Sequence, residues 1–174
     1  SVELVVMTAE SVGNHAKKNS QAKPTEDWRV RLTRHAAQQL YAPERLLHGD
    51  SSIQRVAIPT VVSVPLIRGS KVEATPIAAW KGGGLYVTAI KLRNTTSQPL
   101  SLGFGKAADE PVVNLRDALR GQWQTASVQH YQLGAVDTRT DTTTLYLVSK
   151  HPFVESASIP VEDAQIGEGA VNGR

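Results

Sequence analysis

Three groups of residues could carry chemistry in this chain: a lysine beside three glycines, five scattered histidines, and a set of arginines near one helical stretch. Lys81-Gly82-Gly83-Gly84 stands in the stretch WKGGGLYVTAIKLRNTTSQPLSL. Glycines hold phosphates when Lys-Ser or Lys-Thr follows them at a helix start, because backbone N–H groups and the helix N-terminus then face the anion. Here the lysine comes first and a β-branched run follows. Such glycines supply the positive φ of a turn between two strands, so a hairpin is expected. GFGK, Gly103 to Lys106, fails as a phosphate loop too, because Ala107 stands where the hydroxyl would be needed.

His15, His35, His48, His130 and His151 show no HxH or HxxxH spacing, so they do not suggest a metal site. His130 alternates with Ala126 and Val128 and is expected at a packed or edge strand position. The absence of cysteine removes disulfides, thiolate nucleophiles and Cys-type zinc sites. No G-x-S-x-G elbow is present. A Ser-His-Asp site needs only adjacency in space, so the sequence leaves one open. Asp109-Glu110 falls in a polar loop, where solvation is the ordinary role. The expectation is a protein that is not an enzyme, with no cofactor and no metal.

The net charge of +3 is unevenly spread: residues 1–93 carry 13 Lys or Arg against 7 Asp or Glu, and residues 94–174 carry 6 against 9. A basic half can meet phosphates or acidic partner surfaces. Arg29, Arg31 and Arg34, preceded by Lys17, Lys18 and Lys23, form its densest part. Single-strand binders interleave aromatics with such groups. The nine aromatic residues here do not cluster with the basic ones, so direct contact with nucleic acid is not expected. As an alternative to solvation, Arg29, Arg31 and Arg34 could meet an acidic neighbour.

These residues must be positioned by a chain whose apolar share is 40% and whose aromatic share is 5%, so the core rests on Val, Leu, Ile and Ala. No run approaches the roughly 20 apolar residues of a membrane span. The chain opens at Ser1 inside an apolar run, as a mature or trimmed protein would. Val2 to Thr8 reads as a strand, and residues 1–12 as the end of a preceding domain. Residues 13–27 are polar, with Pro24, and read as a flexible linker.

In WRVRLTRHAAQQLYAPERLL, Leu32, Ala36 and Leu40 recur at helical spacing, flanked by Ala37 and Tyr41. Thr25, Glu26 and Asp27 offer cap side chains, and Pro43 ends the helix near Tyr41. One apolar face implies a helix lying on a sheet. Period-two runs follow: IQRVAIP, VVSVPLI, KVEATPIAAW, GLYVTAIKLRN, PLSL, WQTASVQHYQL and TTTLYLVS. Asn94 to Pro99 is turn chemistry. VNLRDALRG suggests a short helix closing at Gly121. About seven short strands imply a mainly β, immunoglobulin-like β-sandwich over residues 28–153, with one amphipathic N-terminal helix and a loose tail over residues 154–174. Trp80, Tyr86, Trp123, Tyr131 and Tyr146 are the bulky groups able to anchor an interface or fill the core.

LTRHAAQQLYAPERLL, SVPLIRGSKVEATPIAAWKGGGLYVTAIKLRNTTSQPLSL, LRGQWQTASVQHYQLG and DTTTLYLVS together resemble the TraK-like proteins of integrating conjugative elements. The likeness runs from Leu32 to Phe153 in the same order. Asn94 to Leu102 is similar to the Asn-x-Ser-x-Pro-Leu hairpin of TraK-type C-terminal domains. The resemblance implies a non-enzymatic component of the outer-membrane core complex of a conjugative type IV secretion system. It also implies a periplasmic location with indirect outer-membrane association. Its partners would be further copies in a ring, a small lipoprotein and a channel-forming protein, with no small-molecule substrate. The interface residues expected from the sequence are Arg29, Arg31, Arg34, Trp80, Tyr86, Trp123 and Tyr146. The alternative is a periplasmic ligand-binding β domain that recognises peptidoglycan or sugar through Trp80 and Trp123.

Overall fold

A computed structural model of the chain describes residues 3–6, 26–47, 49–58, 62–104 and 112–158. The helix forms where its pattern predicts. α1 (Trp28–Tyr41) starts at Asp27, whose extended backbone (φ −60°, ψ 124°) lets its carboxylate accept from Arg29 N at 2.9 Å, closing one orphan donor. It ends at Ala42, held extended (ψ 143°) by the following Pro43. Leu32 and Ala36 are fully buried, whereas Tyr41 is 57% exposed, so the apolar stripe narrows toward the helix end.

The chain is mainly β, in two sheets. Strands β1 (Glu3–Val6), β2 (Gln54–Val56), β3 (Val72–Gly82), β4 (Leu85–Asn94), β7 (Thr125–Val128) and β9 (Thr142–Ser149) form a six-stranded antiparallel sheet in the order β1-β7-β9-β4-β3-β2. Strands β5 (Leu100–Gly103), β6 (Val112–Asn114) and β8 (Gln132–Leu133) form a second sheet in the order β6-β5-β8, with β5 and β6 parallel. Short helices α2 (Leu115–Ala118) and α3 (Phe153–Ala157) and a single 3-10 turn (Glu44–Leu46) are the remaining elements among the described residues.

Each face of the large sheet carries its own core. Ile90, Leu92, Leu145 and Leu147 pack with Leu100, Leu102 and Leu133 of the small sheet, making the sandwich. Val87, Ala89, Tyr146 and Val148 pack instead under Leu32 and Ala36 of α1. That explains why LYLV in β9 is apolar without alternation: both sides of the strand are covered. β3 serves both cores through a bulge. Its register with β4 shifts between Pro76 and Ala78. The extra residue moves the even-numbered side chains from the sandwich core (Val72, Ala74) to the helix core (Ala78, Trp80).

The triple glycine is the expected hairpin. Gly82 pairs with Leu85, and Gly83 and Gly84 have φ of +57° and +75°, the two positive values of a type I′ turn. Asn94 organises the passage from the large sheet to the small one. Its buried amide donates to Gln98 O (2.7 Å) and Gly134 O (2.8 Å) and accepts from Thr96 N (2.9 Å).

Several expectations are corrected. VVSVPLI forms no strand among its described residues, only isolated bridges Val64–Ala74 and Ile67–Leu119, since Pro65 between them has no N–H to give. WQTASVQHYQL splits into β7 and β8, which lie in different sheets. His130 falls after β7 in the intervening turn and is exposed. The expected loose tail begins with structure: α3 is ordered through Ala157, with Phe153 stacked on Trp123 at 5.9 Å. Glu3–Val6, expected as the end of a preceding domain, pairs with β7 and lengthens this sheet. Residues 13–25 of the expected linker and 159–174 of the expected tail lie outside the described residues, as do Lys17, Lys18, Lys23, His15, His48, Asp109 and Glu110.

Candidate functional site

The arginines of α1 are near one another, and each has a carboxylate of its own chain. Arg29 grips Asp27 (2.6 Å), Arg31 grips Asp50 (2.7 Å), and Arg34 reaches Glu26 (2.6 Å). Arg31 also lies over the Trp28 ring at 4.4 Å. The Arg29 hydrogen bond holds the Asp27 carboxyl below its ordinary range. The Ser52 hydroxyl, and then Arg31, bring Asp50 down to about 2. The helix's basic stripe is therefore locally neutral. The sequence hid this because Asp50 is 19 residues away from its partner.

The aromatic candidates separate into buried and accessible groups. Trp80, Trp123 and Tyr146 are 3%, 7% and 0% exposed. Trp80 lies in the helix core with His35 edge-on at 6.0 Å, and burial pushes the His35 imidazole below its ordinary value. Trp123 lies in the sandwich core and donates to Arg120 O at 2.8 Å. Tyr146 donates to Gln129 Oε1 at 3.1 Å, and burial raises its phenol pKa. These three cannot be surface anchors in this fold, because the sparse aromatics are consumed by a two-sided core. Tyr86 is half-buried with Lys81 5.4 Å from its ring, and stays available.

Two concavities and one charged corner were not foreseen. A groove of about 990 Å³ with mixed polar and apolar walls runs between β8 and the 139–142 segment, lined by Pro99, Leu100, Gln129, Gln132, Arg139 and Thr140 among others. A smaller apolar pocket of about 270 Å³ lies beside β2 and is lined by Val56, Ala79, Tyr86, Thr88 and Phe153 among others. The hydroxyl of Thr88 is buried there with no hydrogen-bond partner among the described residues. The charged corner comprises Arg68, Lys71, Arg116 and Arg120, all exposed. None of these four belongs to an ion pair among the described residues, in contrast to Arg29, Arg31, Arg34 and Arg93. No local pattern signals this corner, since its members come from two segments about 50 residues apart. Backbone bonds join those segments, Arg68 N to Ala118 O and Arg120 N to Leu66 O, both 2.8 Å.

Among the described residues no group of three or more His, Asp or Glu is placed to hold a metal ion. No helix there is long and apolar enough to cross a membrane.

No curated protein matches the chain. A model of one protein family, described as a protein of unknown function (DUF3438), matches residues 3–168. That span takes in both cores, both sheets and every described residue, and the chain belongs to the DUF3438 family.

Proposed function

We propose that the chain is a non-enzymatic structural subunit of the outer-membrane core complex of a conjugative type IV secretion system. It would work in the periplasm, in a ring of like copies with a small lipoprotein and a channel-forming partner. The identity rests on the resemblance of the stretches between Leu32 and Phe153 to TraK-like proteins.

The observation that carries the structural role is how the large sheet ends. β1 and β2 span 4 and 3 residues, while the inner strands β3, β4 and β9 span 11, 10 and 8. On its β2 side, β3 is paired at Ala79–Lys81 and bridged at Ala74. Between these points, Thr75 to Ala78 meet no strand on that side among the described residues. Backbone donors and acceptors at such edges take added strands, a common means of assembly. The test is molar mass by light scattering, for the chain alone and mixed with the small lipoprotein of the same element. A stable complex or a large oligomer is expected. A monomer that ignores the lipoprotein would overturn the proposal.

The groove beside β8 favours a second reading, a periplasmic domain that binds peptidoglycan or sugar. The amides and hydroxyls of Gln129, Gln132, Thr140 and Thr142 are suited to saccharide hydroxyls, a role that buried Trp80 and Trp123 cannot serve. Titration with soluble peptidoglycan fragments separates the readings. Shifts confined to Gln129–Thr142 amide resonances would support this second reading.

A further inference from the structure

We propose that the apolar pocket beside β2 binds a small neutral molecule of the phenol class, one aromatic ring carrying one hydroxyl that bonds Thr88. The pocket lies where the sandwich ends. Val87 and Ala89 belong to the helix core, so alternation turns Tyr86 and Thr88 to the other side of β4. Ala79, the register partner of Thr88, shares that side, because Ala78 and Trp80 belong to the helix core. The small sheet packs on Ile90 and Leu92, further along β4. At Tyr86 and Thr88 the opposite wall is Pro152 and Phe153, at the start of α3, and a cavity of about 270 Å³ is left between. Exposure falls from its rim to its floor. Ala57 and Pro152 are exposed and Tyr86 is half-buried, whereas Ala79, Thr88 and Phe153 are 4%, 0% and 4% exposed.

The Thr88 hydroxyl is buried in this floor with no hydrogen-bond partner among the described residues. A hydroxyl in that state has given up its bonds to water without replacement, which few buried groups in folded proteins do. A ligand hydroxyl restores the bond. None of the lining residues is charged. A charged ligand group would lose its hydration there with nothing to pair with, so the ligand is neutral. Tyr86 and Phe153 supply aromatic walls suited to a ring. The volume falls below the roughly 300–1,000 Å³ of sites for drug-sized ligands, which leaves room for a single ring. A phenol O–H donates and accepts, as the threonine hydroxyl does, so the bond forms in either direction.

The test titrates para-cresol into the isotope-labelled full chain, with toluene as the same ring and methyl group lacking the hydroxyl. Amide resonances of Ala79, Thr88 and Phe153 should shift with para-cresol. Thr88→Val keeps the side-chain shape and removes the hydroxyl. In that variant the preference for para-cresol over toluene should fall by about fivefold or more, the worth of one net hydrogen bond. Thr88→Val deletes an unpaired hydroxyl and should fold at least as stably as the parent, so weaker binding would not reflect misfolding. Ala57→Trp, at the exposed rim, should block both ligands. An unchanged preference in Thr88→Val would overturn the proposal, leaving at most an apolar cavity. So would binding that survives Ala57→Trp, shifts centred outside the pocket, or no shift at the solubility limit of para-cresol.

Discussion

Gly83→Ala should destabilise the fold by about 2–4 kcal/mol, and nearly half of that should travel through Trp28. Gly83 sits at φ +57°, where a side chain costs roughly 1–2 kcal/mol. A Cβ there would also lie 2.2 Å from Trp28 Cδ2 and 2.4 Å from both Cε2 and Cγ, so the indole must leave the turn. Trp28 is half-buried beside the helix core, and losing its seat forfeits a further ~1–2 kcal/mol of apolar contact. Gly84 is the internal control. Its φ is +75°, yet an added Cβ would meet nothing within 4 Å, so Gly84→Ala carries strain alone. Urea unfolding, followed by circular dichroism, gives both values. In a Trp28→Ala background the steric part of Gly83→Ala should vanish, a coupling of about 1 kcal/mol or more in the double-mutant cycle. Equal costs for Gly83→Ala and Gly84→Ala, or a cycle that closes to zero, would refute the idea that the hairpin seats α1 through Trp28.

Three further outcomes are expected. Asn94→Ala removes the amide that bonds Gln98 O, Gly134 O and Thr96 N in a buried site, and should cost about 2–4 kcal/mol by thermal unfolding. Gly121→Val places a Cβ 2.2 Å from Ser156 O and 2.7 Å from Ala157 Cα, at φ +98°. Neither backbone can yield, so α3 should detach, which a rise in quencher access to Trp123 would report. Asp50, held near pH 2 by Ser52 and Arg31 against an ordinary value of 3.8, contributes stability that is present above about pH 4 and lost as pH falls toward 2. Asp50→Asn should flatten that part of the acid-unfolding curve. An unchanged curve would show that the pair adds nothing.

Local patterns were legible and long-range ones were not. α1, the glycine hairpin, the Asn94 turn and the long inner strands each declare themselves within a dozen residues, through caps, period-two alternation or turn chemistry. The split of WQTASVQHYQL between two sheets does not, because its three-residue turn resembles continued strand. Residues 154–157 read as the start of a tail because the contact that anchors α3, Phe153 stacked on Trp123, joins residues 30 apart and exists only in space. Charges fared worst. Arg31 and Arg120 look alike in sequence, yet Asp50 neutralises one and no described carboxylate pairs with the other.

A core on each face of one sheet decides where recognition can occur. The bulge at Ile77 lets β3 feed both cores, so the large sheet keeps no broad aromatic face for a partner. With only nine aromatic residues in the chain, Trp80, Trp123 and Tyr146 go to the interior. Among the described residues, contact with a partner is left to backbone at the β1 and β2 edges, the groove beside β8, and the exposed cations around α2, which have no ion pair there. Substitutions that abolish binding should therefore be found among polar and edge residues. Replacement of the buried aromatics should register first as lost stability, and as lost assembly only when the fold itself gives way.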